Sequence, residues 1–182
     1  QAMKETQGKV PLYSNEICDA RYSKCCGGIT EKYSVAWDDT SVPYLESTTD
    51  AQETSSTVMG EEDARQFIMS RPAAYCNIED KTVIKKILPD FDCETKDFFR
   101  WQIDLPQEEL HALLLSKTGI DFGEIRALVP LERGPSGRLF KMKVRGTRQE
   151  KIIGKELGIR RILSSTHLLS SAFIVEPYGS AG

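Results

Sequence analysis

At 182 residues and 40% hydrophobic content, the chain can build one domain with its own core, or one domain carrying an insertion. A net charge of −3, a pI near 5.5 and the lack of a basic patch interleaved with aromatics exclude a general nucleic-acid binder. The longest apolar runs fall well short of the roughly 18 residues that a membrane-spanning helix needs, and no signal-peptide pattern is visible.

Residues 1–8 read as the tail of a helix stopped by Gly8 rather than as a natural start. Val10 to Tyr13 and Asn15 to Ser23 predict two strands around a Ser14-Asn15 turn. In the second strand Cys18, Ala20 and Tyr22 form the apolar face, which places Cys18 in the core. Cys25-Cys26-Gly27-Gly28 then breaks the run: paired glycines permit positive φ or close backbone approach, and paired thiols offer soft metal ligands or redox chemistry. Tyr33 to Val42 reads as a loop, and Glu46 to Thr57, rich in Ser, Thr and acidic residues, as a solvated loop opening an insertion over about 46–96.

Within the insertion, Glu61 to Ser70 and Glu79 to Leu88 have helical spacing and are ended by Pro72 and Pro89. Cys76 and Cys93 bracket the second helix, as buried thiols, a disulfide or a metal pair. Asp97 to Leu105 alternates as a strand; a helix follows Pro106 and ends at Gly119. Glu124 to Glu132 is a strand with Ile125, Ala127, Val129 and Leu131 on one face. Gly134 to Gly137 is a turn, and Arg138 to Arg145 a strand with one wet face. Gln149 to Ile153, a helix over Gly154 to Leu163 and a last strand over Ser170 to Glu176 complete the chain. Hairpin-length links and the element order give an α+β class: an antiparallel sheet core with hairpins and a few short helices, plus the helical insertion.

The chain lacks a phosphate loop and a dinucleotide fingerprint. His111, on a helix beside Leu110, and His167, in a Ser/Thr-rich loop, have no cysteine close in sequence, which favours structural or surface roles. Asp19, Glu31, Asp38 and Asp39 are the carboxylates around the cysteine motif; a carbohydrate-cleaving site would need one of them buried and protonated, and the plainer reading is solvated or capping groups.

The run Ala20-Arg21-Tyr22-Ser23-Lys24-Cys25-Cys26-Gly27-Gly28-Ile29-Thr30-Glu31 resembles the Gly-Gly-x-Thr-Glu pattern of the SpoIID/LytB family. Further stretches stand in the family's order: Ala2 to Tyr13 before the motif, and after it Trp37 with Val42-Pro43-Tyr44-Leu45, Leu131-Glu132-Arg133-Gly134-Pro135-Ser136-Gly137-Arg138, the helix at Lys155 to Leu163 and the Leu168 to Val175 segment. The resemblance spans nearly all of the chain outside the insertion and makes it the central part of one such domain. It implies work on peptidoglycan in the cell envelope, outside the cytoplasm, either as a lytic transglycosylase cutting glycan strands that lack stem peptides or as a non-catalytic glycan-binding module or enhancer of a cell-wall amidase. The family's catalytic glutamate lies in a Ser-Glu-Met segment that is not among these residues, so no catalytic residue is assigned. The expected glycan-binding wall is Tyr22, Ser23, Cys26, Gly27, Gly28, Thr30 and Glu31, with Trp37 and Tyr44 as stacking platforms. Some members bind zinc through a histidine before the glycines together with nearby cysteines. Here Ser23 stands at that histidine's position, and Cys25 and Cys26 are the candidate metal ligands, supplying at most half of a tetrahedral site. Plain reduced thiols are the other reading.

Overall fold

The computed structural model describes residues 2–53, 57–87, 98–166 and 168–178. A short helix, Ala2–Glu5 (α1), is followed by Gly8 at φ 76°, the expected stop. Strands Leu12–Tyr13 (β1) and Glu16–Ile17 (β2) pair antiparallel, Leu12 against Ile17. Ser14 and Asn15 both take positive φ, the geometry of a tight hairpin turn whose twist matches the strands. The second strand ends at Ile17, not at Ser23 as the alternation suggested. Beyond it the backbone amide of Asp19 turns to the Tyr44 hydroxyl at 3.2 Å and the Arg21 Nε to the Asp19 carboxylate at 2.7 Å, so the ladder has no partner to continue with. Cys18 is half-buried and Tyr22 is 82% exposed: the face expected in the core points outward, because among the described residues no layer packs on this side of the two-stranded ribbon.

Past the two glycines, Ile29 bridges to Thr49. Thr30 N donates to Thr48 O (2.8 Å) and Asp50 N to Gly28 O (2.9 Å). Residues 48–50 are therefore not a solvated loop: their β-branched threonines pair with the 28–30 backbone, and the Thr30 and Thr48 hydroxyls meet at 3.0 Å. A helical turn, Tyr33–Ala36 (α2), occupies the expected loop and buries Val35. Helix Gly60–Met69 (α3) begins with Glu61, Glu62 and Asp63 at its positive end and packs Ala64 under Ile29 and Val58, with Phe67 and Ile68 beside them. Helix Lys81–Ile87 (α4) is capped by Asp80, whose Oδ1 accepts from the Thr82 amide and hydroxyl, both at 2.7 Å. Leu88, Pro89, Cys93 and His167 lie outside the described residues.

Residues 98–105 form no strand. Phe99 is buried, Trp101 and Leu105 lean on the main core, and Arg100 turns inward to backbone carbonyls, so successive side chains find separate niches instead of two sheet faces. Helix Gln107–Thr118 (α5) starts after Pro106 and ends at Gly119 in the left-handed conformation. Strands Ile125–Arg133 (β3), Leu139–Gly146 (β4) and Glu150–Gly154 (β5) make an antiparallel sheet in the order β3-β4-β5. Register shifts in β3 near Ala127 and around Glu132 break the strict alternation expected there: Ile125 and Leu128 reach the core, while Leu131 is exposed. In β4 Leu139, Met142 and Val144 are fully buried, and Lys141 and Lys143 pair across the wet face with Glu132 and Glu150. Helix Glu156–Ile162 (α6) closes the core with Ile159 and Ile162 against Leu110, Leu114 and Phe122. The segment expected as a last strand makes one backbone bond to the sheet, Leu139 N to Ser171 O at 3.1 Å, and packs Phe173 on the core without forming a ladder.

The fold is α+β, with antiparallel two- and three-stranded sheets and six short helices among the described residues. None of those helices is long and apolar enough to cross a membrane.

Candidate functional site

The cysteine–glycine motif and the Gly134 to Gly137 turn are more than 100 residues apart in sequence and are locked together. Glu31 points into the turn: its Oε2 accepts from the Ser136 hydroxyl at 2.7 Å and its Oε1 from the Lys32 amide at 2.9 Å. Arg138 donates to Ser136 Oγ (2.7 Å) and spreads its fork onto the carbonyls of Cys26 (2.8 Å) and Ile29 (3.2 Å). Glycine is required at 134, since a Cβ there would sit 2.2 Å from the Glu31 carboxylate. Burial pushes the Glu31 carboxyl above the ordinary glutamate range, opposed by its hydrogen bonds from Ser136 and Lys32 and by the charge of Arg138. Arg133 holds the base of the same turn: its side chain is 3% exposed, forks onto Glu61 of α3 at 2.6 and 2.8 Å, and donates to Gly137 O and Phe173 O.

This assembly walls a cleft of about 1600 Å³. Tyr22, Ser23, Cys26 and Gly27 line it, as do Thr30, Glu31 and Trp37 farther along. Two expected wall residues lie elsewhere. Gly28, at φ 108°, is buried behind the wall, where a Cβ would touch Phe67 at 3.4 Å. Tyr44 packs its ring on Tyr13 at 5.4 Å and braces the hairpin. Trp37 is 44% exposed and carries the Arg21 guanidinium 4.4 Å from its ring, with Tyr33 on the same guanidinium at 5.5 Å. Of the other carboxylates, Asp19 pairs with Arg21, Asp38 accepts from the Thr40 amide and Asp39 pairs with Lys155, all exposed, as expected for solvated and capping groups. His111 contacts Asp121 at 3.3 Å, away from the cysteine motif in sequence.

Behind the wall, two thiols and a carboxylate converge, with Cys25 beside them. Cys26 Sγ lies 3.4 Å from Cys76 Sγ and 3.2 Å from Asp50 Oδ2, and Asp50 also accepts from the Cys76 amide at 3.2 Å. The donor atoms of Cys26, Asp50 and Cys76 all lie within 4.8 Å of one another. Cys25 hydrogen-bonds the Cys76 sulfur, which raises its own pKa and, with Cys26, lowers that of Cys76: two thiols share their protons toward one sulfur. Cys18 stands apart, free and half-buried beside the hairpin. The expected ligand pair, Cys25 and Cys26, is thus joined by a thiol and a carboxylate from the insertion side. Cys76 was visible as a candidate in sequence, although Cys93, its supposed partner, lies outside the described residues. Asp50 and Arg100 carry no signal as site residues in the sequence, and Ser136 and Arg138 stand in a stretch resembling the family but read there only as part of a turn and a strand. The Thr48-Thr49-Asp50 run has the composition of an extended segment, and its pairing with residues 28–30 is what brings Asp50 to Cys26.

No curated protein and no solved structure matches the chain. A family described as Domain of unknown function (DUF8618) matches residues 31–181, which include Asp50, Cys76 and the Gly134 to Gly137 turn, and begins just after the cysteine–glycine motif. With that match over most of its length, the chain belongs to the DUF8618 family.

Proposed function

We propose that the chain belongs to a SpoIID-type peptidoglycan-processing domain and that its cleft takes glycan strands lacking stem peptides, in the cell envelope. The observation that carries this reading is the cleft wall: the motif that resembles the family is the one that lines it, with Trp37 and the stacked Arg21 at its edge. At about 1600 Å³ the cleft exceeds the roughly 300–1,000 Å³ usual for small-ligand pockets, which suits a polymer. A flat, half-exposed indole offers apolar area to a sugar face at little rotamer cost, and a guanidinium on its other neighbours supplies hydrogen bonds to hydroxyls.

Chemically, these residues bind and orient rather than cleave. A glycoside-cleaving acid must present a protonated oxygen to the scissile bond. Both Glu31 oxygens are occupied by Ser136 and Lys32, so Glu31 serves as the clamp that holds the wall against the turn. The same observation favours a second reading, a non-cleaving glycan-binding module or enhancer of a cell-wall amidase. The experiment that separates them is digestion of denuded glycan strands by the full-length protein, read by mass spectrometry. Release of 1,6-anhydro ends supports the transglycosylase. Binding without release supports the module. Neither binding nor release overturns both.

A further inference from the structure

We infer that Cys26, Cys76 and Asp50, completed by Cys25, form a soft-metal centre of zinc type that ties the insertion to the back of the cleft wall. The histidine-containing set implied by the family resemblance is not available here, since Ser23 occupies that position. The ligands come instead from two segments 50 residues apart, Cys26 and Cys76, whose sulfurs meet at 3.4 Å, with Asp50 at 3.2 Å from Cys26.

Three independent features of the site support the centre. The first is the backbone. Gly27 and Gly28 take φ values of 73° and 108°, which only glycine adopts easily, and so aim their amides back at the sulfurs two residues earlier. Gly28 N donates to Cys26 Sγ at 3.4 Å, and the Gly27 amide reaches Cys25 in the same way. A thiol sulfur is a weak acceptor, whereas a thiolate gains from such a nest of amides. The order Cys-Cys-Gly-Gly thus has a physical reason: each glycine supplies the donor for the cysteine two places before it.

The second feature is charge. Arg138 reaches the Cys26 and Ile29 carbonyls, and Arg100 the Gly27 carbonyl, so two guanidiniums flank the cluster. Arg100 stacks on the rings of Phe67 and Phe99, and its hydrogen bonds among the described residues all go to backbone carbonyls. Arg100 has no carboxylate partner among the described residues, while Arg138 also acts on Glu31. A divalent ion together with these guanidiniums offsets most of the charge of three thiolates and one carboxylate.

The third feature is geometry. A tetrahedral ion with sulfur at about 2.3 Å holds two sulfurs about 3.8 Å apart. The observed arrangement reaches this by opening a few tenths of an ångström. Two sulfurs and one oxygen already stand together, and the neighbouring Cys25 sulfur as fourth ligand would close the tetrahedron in the manner of a structural site. Because Asp50 and Cys76 belong to the 46–96 stretch, filling the site fixes the insertion against Cys26-Gly27-Gly28.

The test uses the full chain, purified anaerobically with reductant. Metal content is measured by mass spectrometry, and cobalt(II) is then titrated into the stripped protein. The expected result is one zinc per chain, the visible bands of tetrahedral cobalt, and a sulfur-to-cobalt charge-transfer band of three-thiolate intensity. That intensity should fall by about a third in Cys25→Ser and be unchanged in Cys18→Ser. Asp50→Asn, which keeps the size and the fold, should retain the charge-transfer band and lose zinc about tenfold more readily to a competing chelator. Cys76→Ser should weaken zinc retention at least 100-fold, with circular dichroism reporting whether it still folds. Absence of stoichiometric metal, a cobalt spectrum indifferent to Cys25→Ser and Cys76→Ser, or a Cys26–Cys76 disulfide found by peptide mapping of the anaerobic protein would each overturn the inference. None of these readouts involves glycan, so the metal centre can fail while the glycan reading stands, and the reverse.

Discussion

The contact between Glu31 and Gly134 is the joint on which the proposed wall depends, and Gly134→Ala tests it. An added Cβ would lie 2.2 Å from Glu31 Oε2, 2.5 Å from Cδ and 2.6 Å from Oε1. The carboxylate must move, and in moving it gives up its bonds from Ser136 (2.7 Å) and Lys32 (2.9 Å). Overpacking of this kind costs about 1–3 kcal/mol, and hydrogen bonds to a charged group contribute about 1.5–3 kcal/mol each when lost in a semi-buried setting. Partial relaxation shares these costs, so the expected destabilisation is about 3–5 kcal/mol. Glu31→Ala alone removes the same bonds without a clash, for about 2–3 kcal/mol. In the Glu31→Ala background the three atoms nearest to the added Cβ are gone, and its further cost should drop to about 1 kcal/mol or less. Urea titrations of the four proteins give the coupling directly. A large coupling, about 2 kcal/mol or more, is expected; additivity within about 0.5 kcal/mol would refute the contact.

Arg133→Ala should destabilise by about 2–4 kcal/mol, because it strands the Gly137 and Phe173 carbonyls and unpins Glu61 from the turn; denaturant midpoints will show it. The folded-state pKa of Glu31 lies above its unfolded value, so its contribution is fully present below the ordinary carboxylate range and is lost as pH rises through the raised value. Stability of the wild-type chain relative to Glu31→Gln, measured from about pH 3.5 to 8, should therefore decline as pH rises and then level off; a rising difference would contradict the burial argument. Gly28→Ala should cost about 2–4 kcal/mol, through positive φ and contact with Phe67, whereas Gly8→Ala meets nothing within 4 Å and should cost the positive-φ strain alone, about 1–2 kcal/mol, compared by thermal melts.

The central helices and the main sheet were legible because their signals are local. Pro106 and Gly119 bracket α5, Asp80 caps α4, and the alternation of β4 survives because one face is core and the other carries Lys141 and Lys143. The misreadings share one cause: an alternating or polar pattern does not say what packs against it. Cys18, Ala20 and Tyr22 alternate as a buried face would, yet no layer among the described residues covers them. Residues 98–105 alternate too, but Arg100 is drawn to the Gly27, Phe67 and Ser70 carbonyls and breaks the strand. Thr48-Thr49-Asp50 looks solvated by composition and instead pairs with 28–30, a partner 18 residues or more away in the Thr30–Thr48 pair. The candidate site follows the same division. Cys25, Cys26 and the two glycines announce themselves as a motif, whereas Asp50 and Arg138 acquire their roles only from tertiary proximity.

The claim that the cleft behind this motif is a glycan site is tested most directly by NMR mapping of the labelled chain with soluble glycan strands stripped of stem peptides. The account predicts shift changes concentrated on the amides of Tyr22 to Glu31 and on the Trp37 indole, abolished for the indole partner residues by Trp37→Ala. Shift changes confined to surfaces away from the cleft, or none at saturating glycan, would contradict it.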